Sequence, residues 1–89
     1  MSTAARLESD PRALAVDVTD DEISARLADG RTISVPLAWS WRLAEAAPAA
    51  RTRYELLGGG TVIHWPDVDE DLSIRGMLEG VPALRSQIR

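Results

Sequence analysis

Asp67, Asp69 and Asp71 alternate along the stretch Ile63-His64-Trp65-Pro66-Asp67-Val68-Asp69-Glu70-Asp71-Leu72-Ser73, which also carries the chain's one histidine. Carboxylates at every second residue match the first, third and fifth ligand positions of a calcium loop, and Ser73 falls at the seventh. The later positions break the pattern. Leu72 stands where such a loop turns on glycine, and Leu78 where it places a bidentate glutamate. One histidine and no cysteine fall short of a zinc or copper site. His64 could serve as a general base, but no serine sits in a nucleophile-elbow context and no thiol exists. A small hydrolase or metal-binding domain using His64, Asp67, Asp69 and Asp71 is therefore the second reading; the first assigns no catalytic residue, no metal and no cofactor.

The same residues have a structural use. Acidic groups ahead of a helix are favoured by its positive end, each by about 0.3–1 kcal/mol, so Asp69, Glu70 and Asp71 read as a lead-in to a helix capped by Ser73. Strand alternation puts Ile63 and Trp65 on one face and Val62 and His64 on the other. That predicts a partly buried histidine hydrogen-bonded to a carboxylate.

The elements that would position these residues follow from the hydrophobic period. Leu14, Val16 and Val18 alternate with Ala13, Ala15 and Asp17, the pattern of a strand with its first set buried. Ile23, Ala25 and Leu27 form a second strand, and Asp29-Gly30 suits a type I′ hairpin turn into a third, where Ile33 and Val35 share a face before Pro36 ends it. From Trp39 the period becomes helical through Leu43, Ala46 and Ala47, with Ser40 near the start; Pro48 to Arg53 is a second short helix or a continuation beyond a kink. Tyr54–Leu57 and Thr61–Trp65 read as two strands joined at Gly58-Gly59-Gly60. The triple glycine lacks the Lys-Ser/Thr ending of a phosphate loop and is a turn. Ser73 caps a last amphipathic helix that Gly80 stops. The result is a small α+β domain of order β-β-β-α-β-β-α over residues 11–82, with a flexible lead-in over 1–10 and a tail over 83–89.

The chain's 89 residues leave room for one modest core, and the absence of cysteine excludes disulfides. A net charge of −4, with no basic run longer than two residues, argues against direct nucleic-acid binding. Arg51 and Arg53 come closest to a phosphate track and read as solvated side chains. No apolar leader or spanning segment is present, which predicts a cytoplasmic protein with no membrane contact. Three tryptophans without phenylalanine is an unusual allotment. Trp39 and Trp65 suit a core. Trp41 lies about 200° from Trp39 around a helix, so with Arg42 it is a candidate interface anchor.

The stretches DGRTISVPLAWSWRLAEA, ARTRYELLGGGTVIHWPDVDEDLS and IRGMLEG resemble a family of small bacterial domains of unknown function with a DGR turn, a VPL-Trp-RL segment and a G-IHWP-DEDIS block. In this sequence the structural signature comprises Trp39, His64, Trp65, Pro66, Asp69, Asp71 and Ser73. The resemblance implies an α+β domain that stands alone or is fused to a helix-turn-helix domain, encoded beside another small protein as in toxin–antitoxin pairs. It transfers no catalytic residue. The expectation is a non-enzymatic protein-interaction domain, antitoxin-like or regulatory. Its interaction candidates are Trp41, Arg42, Asp67 and Glu70, and its partner is a small protein encoded nearby, with homo-oligomerisation as the other option.

Overall fold

A computed structural model describes residues 11–81; the expected lead-in and tail lie outside the described residues. The described residues form two three-stranded antiparallel sheets and three short α-helices, the α+β arrangement that the sequence predicts. The first sheet, in the order β1-β2-β3, is built from β1 (Ala13–Val18), β2 (Glu22–Leu27) and β3 (Thr32–Pro36). A 3-10 turn at Leu37–Trp39 leads to α1 (Trp41–Ala44) and α2 (Pro48–Thr52). The second sheet, in the order β4-β5-β6, holds β4 (Glu55–Leu57), β5 (Val62–Trp65) and β6 (Glu70–Ser73), and α3 (Ile74–Glu79) follows directly. No helix among the described residues is long and apolar enough to cross a membrane.

In β2 the alternation predicts the structure closely: Ile23, Ala25 and Leu27 are buried. In β1 it does not. The register steps from Ala13 opposite Leu27 to Ala15 opposite Arg26, so Leu14 is an extra residue in a β-bulge and turns outward, 58% exposed. Ala13 takes the buried place predicted for Leu14, while Val16 and Val18, opposite Ala25 and Ile23, pack against the core as expected. A bulge leaves no mark in hydrophobic period, because it changes which residue is counted as odd.

The β2–β3 turn also differs from the predicted type I′. Gly30 has φ +98° and Asp29 is not among the positive-φ residues, while the Gly30 N–H donates to the Leu27 carbonyl at 3.0 Å. This is a three-residue loop closed by a glycine bulge. Asp29 instead accepts from the Arg31 backbone N–H at 3.0 Å and from Arg31 Nε at 2.9 Å. The backbone N–H is the main reason its carboxyl lies below the usual aspartate range.

The predicted helix from Trp39 is broken in two places. Trp39 ends the 3-10 turn, and Ser40, extended at φ −128°, caps the single turn α1. Leu43 is buried, but Ala47 lies outside α1 as the exposed residue before Pro48, which starts α2 at its first position. The three glycines between β4 and β5 all have positive φ (60°, 70° and 103°), a run that only glycine sustains. A Cβ on Gly60 would stand 2.5 Å from the Ala13 carbonyl oxygen, so its bare backbone lets the second sheet approach β1.

One buried cluster joins both sheets. Leu27 and Val35 from the first, Ile63, Trp65 and Leu72 from the second, and Leu43, Ile74 and Met77 from the helices all belong to it. Hydrogen bonds tie its rim: Tyr54 Oη accepts from the Val16 N–H at 3.1 Å, and Trp65 Nε1 donates to the Arg51 carbonyl at 3.1 Å.

Candidate functional site

The segment singled out for its carboxylates is a hairpin. Glu70 pairs with Trp65, Asp71 with His64 and Leu72 with Ile63, so the expected acidic lead-in to the last helix is a sixth strand. Alternation along it places Glu70 and Leu72 inward and Asp71 and Ser73 outward. Asp67 and Asp69 lie in the Pro66–Asp69 loop, where Asp69 adopts φ +54°, a conformation that aspartate tolerates better than most residues. Ser73 caps the final helix as predicted: its Oγ accepts from the Gly76 N–H at 2.9 Å, and Gly80 ends the helix at φ +82°.

The polar groups of this hairpin contact different residues. Asp67 pairs with Arg53 across 2.8 Å. The Asp69 carbonyl accepts from Arg42 Nη1 at 2.5 Å. Asp71 meets His64 Nδ1 at 2.6 Å, as the strand register requires. Glu55 and Asp71 sit opposite His64 on its two neighbouring strands, forming a carboxylate–imidazole–carboxylate row on the outer face. The Asp71 hydrogen bond is the main cause that raises the His64 pKa, partial burial opposes it, and the charges of Asp71, Glu55 and Asp69 add to the rise. Asp67 and Asp71 are thus held by separate side chains rather than drawn to one centre. No group of three or more metal-ligating side chains converges among the described residues.

Glu70 departs furthest from its predicted place. It is 5% exposed, so its carboxylate offers no outer surface to a partner. Fully buried Ser40 donates from Oγ to Glu70 Oε2 at 2.5 Å while accepting from the Leu43 N–H at 3.1 Å, and Glu70 Oε1 accepts from the Asp71 N–H at 3.1 Å. One hydroxyl therefore caps α1 and satisfies a buried carboxylate on β6. Reading Glu70–Ser73 as a strand would have flagged this, since Glu70 shares its face with Leu72.

Arg51 is the residue that sequence reasoning missed. Its side chain is 10% exposed, and its guanidinium donates to the Leu43 and Ala44 carbonyls at 3.0 and 3.2 Å and to Asp20 at 2.8 Å. It closes the C-terminal end of α1 instead of facing solvent, a role that an arginine following a helix can take. Arg53 is the exposed member of that pair.

Trp41 and Arg42 remain at the surface of α1. Both are half-buried, with the Arg42 guanidinium carbon 5.4 Å from the Trp41 ring centroid, within cation–π range. Glu45, Ala46 and Val68 complete a shallow depression of about 290 Å³ beside them. Trp39 is half-buried against the core and Trp65 is fully buried.

Comparison with known proteins places this arrangement. The family model described as "protein of unknown function (DUF2442)" matches residues 13–83. A structure of a protein of unknown function from Rhodospirillum rubrum superposes with a TM-score of 0.73 at 26% identity, covering 91% of this chain and 100% of that one. The solution structure of an uncharacterized protein from Chromobacterium violaceum gives 0.71 at 21% identity over 94% of this chain and 77% of that one; at that identity the likeness shows the fold. The search of curated proteins yields no significant match. Because the family model spans both sheets, all three helices and the whole polar hairpin, the chain belongs to the DUF2442 family of proteins of unknown function.

Proposed function

We propose that this protein is a non-enzymatic protein-interaction domain whose partner docks over Trp41 and Arg42. One observation carries the reading: a half-buried tryptophan with an arginine stacked on its ring borders an apolar depression, and these are the side-chain types that dominate binding energy at protein interfaces. The internal engagement of the neighbouring polar groups supports it. Glu70 faces Ser40, His64 faces Asp71, and the Asp69 carbonyl anchors Arg42, so the hairpin acts as a support that holds the α1 surface in place. In its finer form the partner is a small protein encoded nearby, and the domain is the antitoxin-like or regulatory half of a two-protein module. That form rests on the resemblance carried by the DGR, VPL-Trp-RL and IHWP-DED segments. Tagged wild-type protein and a Trp41→Ser variant are expressed side by side in the native host, and co-purifying proteins are quantified by mass spectrometry. A partner recovered near one-to-one by the wild type and lost by the variant, with both proteins equally folded, supports the proposal. Equal recovery by both, or none by either, contradicts it.

A further inference from the structure

The turn Asp29-Gly30-Arg31 plays no part in the proposed docking surface, and its sequence carries a chemical hazard of its own. Glycine has no side chain to screen its amide nitrogen, so an Asp-Gly bond is open to attack by that nitrogen on the aspartate side-chain carboxyl. A bond forms between the Gly30 nitrogen and Asp29 Cγ, the C–OH bond of the protonated carboxyl breaks, and the hydroxyl leaves with the amide proton as water. Water then opens the five-membered imide. Opening at the backbone carbonyl leaves isoaspartate, with the main chain running through the former side chain. Asp29-Gly30 is the only Asp-Gly pair in the chain, which contains no asparagine.

Nothing shields this pair by bulk. The Asp29 and Arg31 side chains are exposed, and no atom lies within 4 Å of where a Gly30 Cβ would stand. Bonding shields it instead. Asp29 Oδ1 accepts from the Arg31 backbone N–H at 3.0 Å and Oδ2 from Arg31 Nε at 2.9 Å, so ring closure must turn the carboxyl away from both contacts. The same contacts favour the ionised carboxylate, which cannot lose hydroxide, and the carboxyl lies below the usual aspartate range, chiefly through the backbone N–H. Arg12 and Arg75 line the adjoining cavity with Asp29, but the carboxylate's hydrogen bonds among the described residues come from Arg31. The attacking nitrogen is engaged as well, since the Gly30 N–H donates to the Leu27 carbonyl at 3.0 Å. Isoaspartate would add a main-chain carbon beside that bond and beside the 2.7 Å bond from the Leu27 N–H to the Arg31 carbonyl, the two that close the β2–β3 hairpin. We propose that Arg31 guards this turn: by holding both Asp29 carboxylate oxygens it keeps the Asp29-Gly30 bond from rearranging to isoaspartate, which forms there when the turn opens.

The test is prolonged warm incubation of the full chain, native and in concentrated urea, with isoaspartate at residue 29 quantified by peptide mapping and electron-transfer fragmentation. With no asparagine present, the signal comes from aspartate alone. The native wild type should form isoaspartate about tenfold more slowly than the chain in urea, because the hydrogen bonds of the turn must break first. Arg31→Met keeps the backbone N–H and loses the Nε contact, so it should react about threefold faster than the native wild type, the scale of an exposed charge pair. In urea the two should react alike. Arg53→Met removes a comparable exposed pair with Asp67 and should leave residue 29 unchanged. Between neutral and mildly acidic pH, the wild-type rate should begin to rise at a lower pH than that of Arg31→Met, because its carboxylate is harder to protonate. Simple loosening of the turn would speed the reaction equally at every pH. Equal native and urea rates in the wild type, or a native Arg31→Met rate matching the wild type, would overturn the proposal. So would an acceleration that is the same at every pH or is shared by Arg53→Met.

Discussion

Replacing Ser40 by alanine removes two things at once, because a single buried hydroxyl caps α1 and donates to Glu70. Loss of a serine N-cap costs about 1 kcal/mol. Loss of the donor leaves Glu70 Oε2 without that partner in a side chain that is 5% exposed, and an unsatisfied buried polar group costs about 1–3 kcal/mol. The sum, about 2–4 kcal/mol, is a large part of the stability of a small domain and should lower the melting temperature by about 10–25 °C. Urea unfolding followed by tryptophan fluorescence measures it, since Trp65 moves from full burial into water. The midpoint should fall while the m-value stays constant. Glu70→Leu provides the cross-check: if the two residues act together, Ser40→Ala should cost less in the Glu70→Leu background, with a coupling of about 1–2 kcal/mol. A Ser40→Ala cost below about 0.5 kcal/mol, or strictly additive variants, would refute the account of the buried pair.

Other outcomes follow from the same geometry. The His64 pKa is raised in the folded state, so its contribution to stability is complete below the unfolded value near 6.5 and is lost as pH rises through the folded value. Urea midpoints should therefore decline across that window in the wild type and much less in Asp71→Asn, whose imidazole should titrate nearer the ordinary value by NMR. Gly60→Ala should destabilise far more than Gly30→Ala, because both positions have positive φ but only Gly60 also places the new methyl against the Ala13 carbonyl; a pair of thermal melts decides this. Millimolar calcium should leave the melting curve unchanged, since the Asp67 and Asp71 carboxylates are held by Arg53 and His64 respectively; stabilisation on titration would reopen the metal reading.

Much of the fold is legible in the sequence, for physical reasons. Ile23, Ala25 and Leu27 alternate without interruption and lie on the central strand of their sheet, so period and structure coincide. Ser73 and Gly80 mark the last helix because capping is local chemistry. The failures are tertiary or involve extra residues. A bulge at Leu14 shifts the inward phase of β1, and the Asp29-Gly30 turn has one positive-φ residue where type I′ needs two. Glu70 is misread because four carboxylates in five residues suggest solvent, whereas strand pairing with Trp65 turns this one inward to Ser40, thirty residues away. At the candidate surface, Trp41 and Arg42 can be picked out by type, and the contact of Arg42 with the Asp69 carbonyl depends on the hairpin's conformation.

The central claim is that the polar hairpin supports an α1 surface that binds another protein. Its most direct test compares partner recovery from the native host by Trp41→Ser and by Asp67→Ala. Trp41 lies on the surface in question, and Asp67 forms an exposed ion pair worth at most about 1 kcal/mol. The account predicts loss of the partner with Trp41→Ser and full recovery with Asp67→Ala, both variants remaining folded. Loss with Asp67→Ala and retention with Trp41→Ser would contradict it, placing the working surface on the acidic loop.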